Sequence, residues 1–347
     1  MVNLDEPHRF VEVDPLDALA DVEGTATQWL QAQAHAGPPI DLCGLDAVLM
    51  AGMGGSGITG DLVAALAADR LDLPIAVQKG YGLPRWAGPR TLVVAVSYSG
   101  GTEETLSVVA EAVARGCRVL AISSGGDLDR IAAEHGLDRV IVPGGGMPRH
   151  SLGKLAVPAL VALGLDEGLD EATAVQSQLA AAWGRGVPTA ANPAKRLAVT
   201  IASGGCVVAY GGTGLAAVAA YRLKCQLNEN AKMPAFFGVL PELCHNEIVG
   251  WQDGPLASDA GIVWLRDSAG EHSQVTRRIA VTDQLIADAV AWTTQLAAFG
   301  RKPLARVASL LLMVDLVSVY TAIALDRDPT PITPIDMLKR ELARACP

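Results

Sequence analysis

One layout occurs twice in this chain. Residues 47–68, AVLMAGMGGSGITGDLVAALAA, pass from an apolar strand through a glycine turn into an apolar helix. Residues 205–232, GCVVAYGGTGLAAVAAYRLKCQLNENAK, repeat it. Between and after them, DLPIAVQKG, TLVVAVSYSGGTEETLSVVAEAVARG, CRVLAISSGG, DRVIVPGGG and GIVWLRDS each open on a short apolar run bounded by glycine or charge. Short, continuously apolar strands alternating with longer helices predict parallel sheets buried on both faces by helices. The expected fold is therefore α/β, with two domains of one kind. An amphipathic helix over roughly Leu16 to Ala34 precedes the first strand, and helices near 152–184 close the first half. GRGVPTAANPAKR reads as a linker, which places the domains at 1–184 and 195–347. After GIVWLRDS, helix-like stretches run to about residue 300. A chain of 347 residues fits two domains better than one.

Half of the residues are hydrophobic, so a large core is available, and the formal charge is −10. An acidic chain without a long Lys/Arg run is a poor partner for nucleic acid or an anionic membrane. Any anion must be held by local geometry against the global field. Val307 to Leu325 has the length of a membrane-spanning helix, but Asp315 interrupts its centre, and a buried core helix is the expectation. The six cysteines (43, 117, 206, 225, 244 and 346) form no CxxC pair, and buried free thiols are expected. The opening MVNLDEPHRF carries acids and no apolar run, unlike a signal peptide. Both features point to the cytoplasm.

The turn Gly52-Met-Gly54-Gly55-Ser56-Gly57 formally matches the dinucleotide fingerprint. That fingerprint also needs an acid at the end of the next strand to hold a ribose, and here the strand ends in Gln78-Lys79-Gly80. A nicotinamide cofactor is therefore not expected. VVAVSYSGGTEETL (93–106) instead places Ser97, Ser99 and Thr102 where a strand hands over to a helix. A helix N-terminus offers unpaired N–H groups and a partial positive charge, and hydroxyls add donors aimed at the same point. Neutral donors converging on one anion suit a monophosphate. One hydroxyl would be enough merely to cap the helix.

GMGGSG together with SYSGGTEET resembles the sugar-isomerase (SIS) domain, which binds phosphosugars at the carboxyl ends of its strands. GGGMPRHSLG (144–153), LNENAKMPAFFGVLPELCHNEIVGW (227–251) and PITPIDMLKREL (331–342) narrow the resemblance to the bifunctional phosphoglucose/phosphomannose isomerase family, from about residue 45 to the end. The resemblance implies two SIS-type domains, each a parallel β-sheet flanked by helices on both faces. It implies that Gly54, Gly55 and Ser56 surround a hexose 6-phosphate and that Ser97, Ser99 and Thr102 hold its phosphate. It gives Arg149 the enediolate, Glu229 the proton that moves between C1 and C2, and His245 and Lys339 the opening of the ring. His245 comes from the partner subunit in this family, which implies a homodimer. Neither a metal nor a cofactor is implied. Gly101 stands where the family usually has Asn, and the chain is longer than compact members through its opening helix and 252–305.

That chemistry needs these residue types. Aldose–ketose isomerisation requires a carboxylate that removes a proton and returns it to the adjacent carbon. A cation must hold the developing enediolate oxygens. Because C2 is planar in the enediolate, rotation about C2–C3 would let one base serve both glucose 6-phosphate and mannose 6-phosphate. The competing readings are a phosphosugar sensor that retains the pocket without turnover, and an isomerase of another phosphosugar.

Overall fold

The computed structural model describes residues 2–252 and 254–345. In the first half, β1 (Ala47–Ala51), β2 (Ile75–Gln78), β3 (Thr91–Ser97), β4 (Arg118–Ser123) and β5 (Asp138–Ile141) form one sheet of order β2-β1-β3-β4-β5. In the second, β6 (Cys206–Gly212), β7 (Ala235–Leu240), β8 (Ala260–Arg266) and β9 (Trp292–Ala297) form another of order β7-β6-β8-β9. Every pairing in both sheets is parallel. The buried runs of β1 and β3 have no polar alternation because helices cover both of their faces.

The helices α1 (Pro7–Val13), α2 (Ala18–Glu23) and α3 (Thr25–His35) precede β1. Then α4 (Gly54–Ala67), α5 (Glu103–Ala114) and α6 (Gly126–Glu134) follow β1, β3 and β4. The stretch between the sheets holds α7 (Leu152–Ala162), α8 (Leu169–Trp183) and α9 (Pro193–Ala202). In the second half come α10 (Leu215–Glu229) after β6, the short α11 (Glu247–Gly250), and α12 (Ser273–Ile286) after β8. The chain closes with α13 (Pro303–Ala324) and α14 (Thr333–Ala345). Connections leave β1 towards β2 on one side and resume at β3 on the other, so a crevice opens between the carboxyl ends of β1 and β3. In open α/β sheets that switch point is where ligands bind.

The long apolar helix α13 is buried throughout from residue 307 to its end and joins the two halves. Its opening turns, through Leu304, Val307 and Leu311, pack in one cluster with Val48, Met50, Val94 and Leu155. Its later turns, through Val314, Leu316, Tyr320 and Ile323, pack with Val207, Ala209, Leu223 and Leu227. The N-terminal Leu4, Phe10 and Leu19 belong to this second cluster, and the Val2 N–H donates to the Ala324 carbonyl at 2.9 Å.

Four local expectations are corrected. The helix over Leu16–Ala34 is two helices parted at Gly24. The linker ends in α9, which begins at Pro193 with the Asn192 side chain accepting from the Ala194 and Lys195 N–H groups. The helical reading up to residue 300 fails after Ile286, because Trp292–Ala297 forms the edge strand β9 beside β8. Trp292, Thr293 and Thr294 favour a strand, and the Trp292 ring fills the space over Gly261, where a Cβ would collide with it. Among the described cysteines, all free, only Cys117 is buried. Cys346 lies outside the described residues.

Candidate active site

The first glycine turn is built for close approach. A Cβ on Gly52 would meet the Val96 and Ser56 carbonyl oxygens at 2.9 and 3.0 Å, and Gly54 takes a φ of +53°. Gly55 lies against Pro148 and Arg149, and a Cβ there would sit 3.3 Å from the Arg149 Cα. The buried Ser56 hydroxyl accepts from the Tyr98 N–H at 3.3 Å, which fixes this turn to the end of β3.

At that end, the Ser97 and Thr102 hydroxyls are 2.8 Å apart, and Ser99 accepts from the Gly101 N–H at 3.3 Å. Thr102 is the N-cap residue of α5, yet its side chain makes no capping bond. The Thr102 hydroxyl therefore does not serve as the helix cap, and the first N–H groups of α5 have no partner within the helix. Glu103 and Glu104 occupy the first turn of α5 and suit its dipole. Gly100, at a φ of +69°, packs so tightly on Gly125 that a Cβ would be driven into the Gly125 carbonyl oxygen.

Arg149 sits in a short 3-10 turn, Pro148–His150, between β5 and α7. Although buried, it is held by three hydrogen bonds. Its Nε donates to Asn230 Oδ1 at 2.6 Å, and its Nη2 donates to the Pro329 and Thr330 carbonyls at 2.7 and 2.8 Å. Nη1 stands 3.9 Å from Glu229 Oε2. Burial lowers the Arg149 pKa, and the Glu229 and Asp328 carboxylates oppose that shift. Glu229, the last residue of α10, keeps a quarter of its side chain in solvent (26 %). It lies on the wall of an open groove of ≈ 880 Å³ that Lys224, Asn228, Phe236 and Ile332 also line. Arg149 does not itself line the groove: a buried cation from the first half stands behind the Glu229 carboxylate of the second.

Behind them lies a polar scaffold inside the core. Arg222 of α10 grips Asp315 of α13 with both arms, Nε to Oδ1 at 2.7 Å and Nη2 to Oδ2 at 2.6 Å. Gln226 Nε2 adds a bond to Asp315 at 2.9 Å, and Arg222 Nη2 donates to the Arg149 carbonyl at 2.9 Å. One turn along α13, Ser318 accepts from Asn230 Nδ2 at 2.9 Å. The charge in the middle of the apolar helix is therefore the anchor for the backbone of Arg149. His150 lies in the core beside this network, away from the groove, and burial together with the Arg149 and Arg222 cations pulls its pKa down to about 3.

His245 and Lys339 are not brought to this cluster within one chain. His245 ends the 3-10 turn after β7 and is exposed, and Lys339 is exposed on α14. Among the described residues no group of His, Cys, Asp and Glu side chains gathers in a metal-binding arrangement. Near the second glycine turn, a buried carboxylate is tied to the end of β8. The Glu271 carboxylate, 2 % exposed, accepts from Arg266 and the Asp267 N–H, and its Cγ lies 3.8 Å from where a Cβ on Gly212 would be.

Residues 190–342 match the family described as bacterial phospho-glucose isomerase C-terminal SIS domain. The bifunctional phosphoglucose/phosphomannose isomerase of Caldicellulosiruptor bescii is 38 % identical over 307 residues, 86 % of this chain and 90 % of that protein. The protein of the same name from Aquifex aeolicus is 36 % identical, over 88 % of this chain and 92 % of its own. This chain belongs to the bifunctional phosphoglucose/phosphomannose isomerase family. It is an enzyme, an isomerase. Its fold is also that of the C-terminal domain of glucosamine-fructose-6-phosphate aminotransferase from Francisella tularensis, with a TM-score of 0.70 at 14 % identity, covering 90 % of this chain and 97 % of the other. Lys232, Asn230, Arg222 and Asp315 hold Arg149 and Glu229 in place, and the sequence does not mark the first three as part of the site. Asp315 alone carried a signal, as the charge inside an otherwise apolar helix.

Proposed function

We propose that this isomerase interconverts glucose 6-phosphate and mannose 6-phosphate with fructose 6-phosphate through a cis-enediolate, without a metal. The observation that carries this reading is the approach of the buried Arg149 guanidinium to within 3.9 Å of Glu229, whose carboxylate stands on the groove wall. Glu229 takes the proton from C2 of the aldose and returns it to C1, and Arg149 holds the charge that develops on the enediolate oxygens. The turn Gly54–Ser56 faces the sugar, while Ser97, Ser99, Thr102 and the start of α5 bind the phosphate. Domains meeting at the linker (1–184 and 195–347) would then each contribute one half of the centre.

The active form in this reading is a homodimer working in the cytoplasm, with the partner's His245 completing ring opening and Lys339 assisting at O5. Its support is the exposure of His245 together with exposed Phe236 and Val249, and the unpartnered apolar stripe Ile335, Leu338 and Leu342 on α14. Coupled assays with each aldose phosphate in the presence of a chelator test the whole. Turnover of both is expected; binding of fructose 6-phosphate with no turnover would make the protein a sensor instead.

The phosphate loop makes its own prediction. Gly100→Ala forces a side chain into the Gly125 backbone at a positive φ, whereas Gly101 faces open space at an ordinary φ. Gly100→Ala should weaken competitive inhibition by a phosphosugar analogue about tenfold or more, since the strained φ alone costs on the order of 1–3 kcal/mol. Gly101→Asn should leave it near the wild-type value.

A further inference from the structure

The turn that follows Glu229 has an unusual occupant. Lys232 adopts a φ of +55° two residues beyond Asn230, the C-cap of α10. Glycine is the ordinary residue in that left-handed conformation just after a helix, because a Cβ is disfavoured there. The conformation turns the lysine side chain back over its own helix end. Its Nζ donates to the Glu229 carbonyl at 2.7 Å and to the Pro329 carbonyl at 2.8 Å. The Pro329 carbonyl is the same oxygen that accepts from Arg149 Nη2. From the other direction, Arg327 Nη1 donates to the Ala231 and Lys232 carbonyls at 2.8 and 3.2 Å. The segment from Arg327 to Thr330, which leads into α14, is thus gripped by two cations, Arg149 and Lys232, and returns a third of its own, Arg327, to the turn after Glu229.

We propose that Lys232 is a positioning residue for isomerisation: its ammonium ties the backbone of Glu229 to the Pro329 carbonyl and so sets where the Glu229 carboxylate stands relative to Arg149. The proposal rests on the reading of Glu229 and Arg149 given above. Lys232 touches backbone carbonyls and neither carboxylate, so its action on the reaction is through Glu229. A strained backbone kept where glycine would fit better is the mark of a side chain with a task.

The groups around the ammonium give the device a pH dependence. Half-withdrawal from water and the Arg149 cation pull the Lys232 amine down to about 8, Arg327 adds to that, and the Asp328 and Glu229 carboxylates oppose it. The proton is therefore present at neutral pH and lost as the pH rises through about 8. Above it, the charge-assisted bonds to the two carbonyls become ordinary ones and loosen the base.

The test uses the full-length protein with the Gly and Arg variants at this position. Lys232→Gly suits the positive φ and is expected to fold, with circular dichroism and oligomeric state unchanged. Its kcat should fall about ten- to a hundredfold with KM little altered, as expected for a displaced catalytic group. Lys232→Arg should retain most of the neutral-pH kcat and shift the alkaline fall in activity upward by about one unit or more, because a guanidinium stays charged. A folded Lys232→Gly with kcat within about twofold of wild type would overturn the proposal, as would an unmoved alkaline limb in Lys232→Arg. An inactive wild type would instead remove the isomerase reading, and this proposal with it.

Discussion

Glu229→Gln is expected to lower kcat for both aldose phosphates by about 10² to 10⁴-fold, the range for loss of a general base. The amide keeps the shape of the side chain but accepts no proton at the operating pH. Glu229 ends α10 and touches Arg149 only at 3.9 Å, so little structural cost should follow. The fold is held instead by Arg149 on Asn230, Pro329 and Thr330, and none of those bonds involves the carboxylate. Inhibition by a phosphosugar analogue should accordingly persist in the variant, since the phosphate loop lies on a different element. A drop in kcat with intact analogue binding separates the chemistry from the binding.

The second large effect is on stability. Asp315→Ala should destabilise the protein by about 3–5 kcal/mol, the cost of leaving one member of a buried ion pair behind. Asp315 is buried, which raises its pKa, and Arg222 with Gln226 holds the charge against that. Removing the carboxylate strands the Arg222 guanidinium in the core between α10 and α13. A lower urea midpoint at unchanged slope would report it. Replacing both partners with apolar residues, Asp315→Leu with Arg222→Met, should recover most of the loss, because the desolvation of both charges is then avoided. The double variant should nevertheless stay slow, because Arg222 also donates to the Arg149 carbonyl.

The sequence carried the parts of this molecule that repeat a local pattern. Apolar strands followed by glycine turns announced both parallel sheets, and the hydroxyls at Ser97, Ser99 and Thr102 announced the handover from β3 to α5. The edge strand β9 was not legible, because its few half-buried residues make no alternation, and it exists only by pairing with β8. Nor was the scaffold of the centre legible. Arg149 and Asn230 are 81 residues apart and Arg222 and Asp315 are 93 apart, and nothing local marks such pairs. Asp315 stood out as a charge in an apolar helix, but only the packing of α10 against α13 shows what it holds. Lys232 was invisible for another reason: its significance lies in a backbone angle.

The central claim is that Glu229 moves a proton between C1 and C2 beside Arg149. The most direct measurement is isomerisation of fructose 6-phosphate in D₂O with chelator, followed by proton NMR, for wild type and Glu229→Gln side by side. Proton abstraction by a carboxylate exposed to solvent predicts deuterium at C2 of both the glucose and the mannose 6-phosphate formed, and no exchange above background in the variant. Formation of either aldose by Glu229→Gln at the wild-type rate would contradict the assignment of the base.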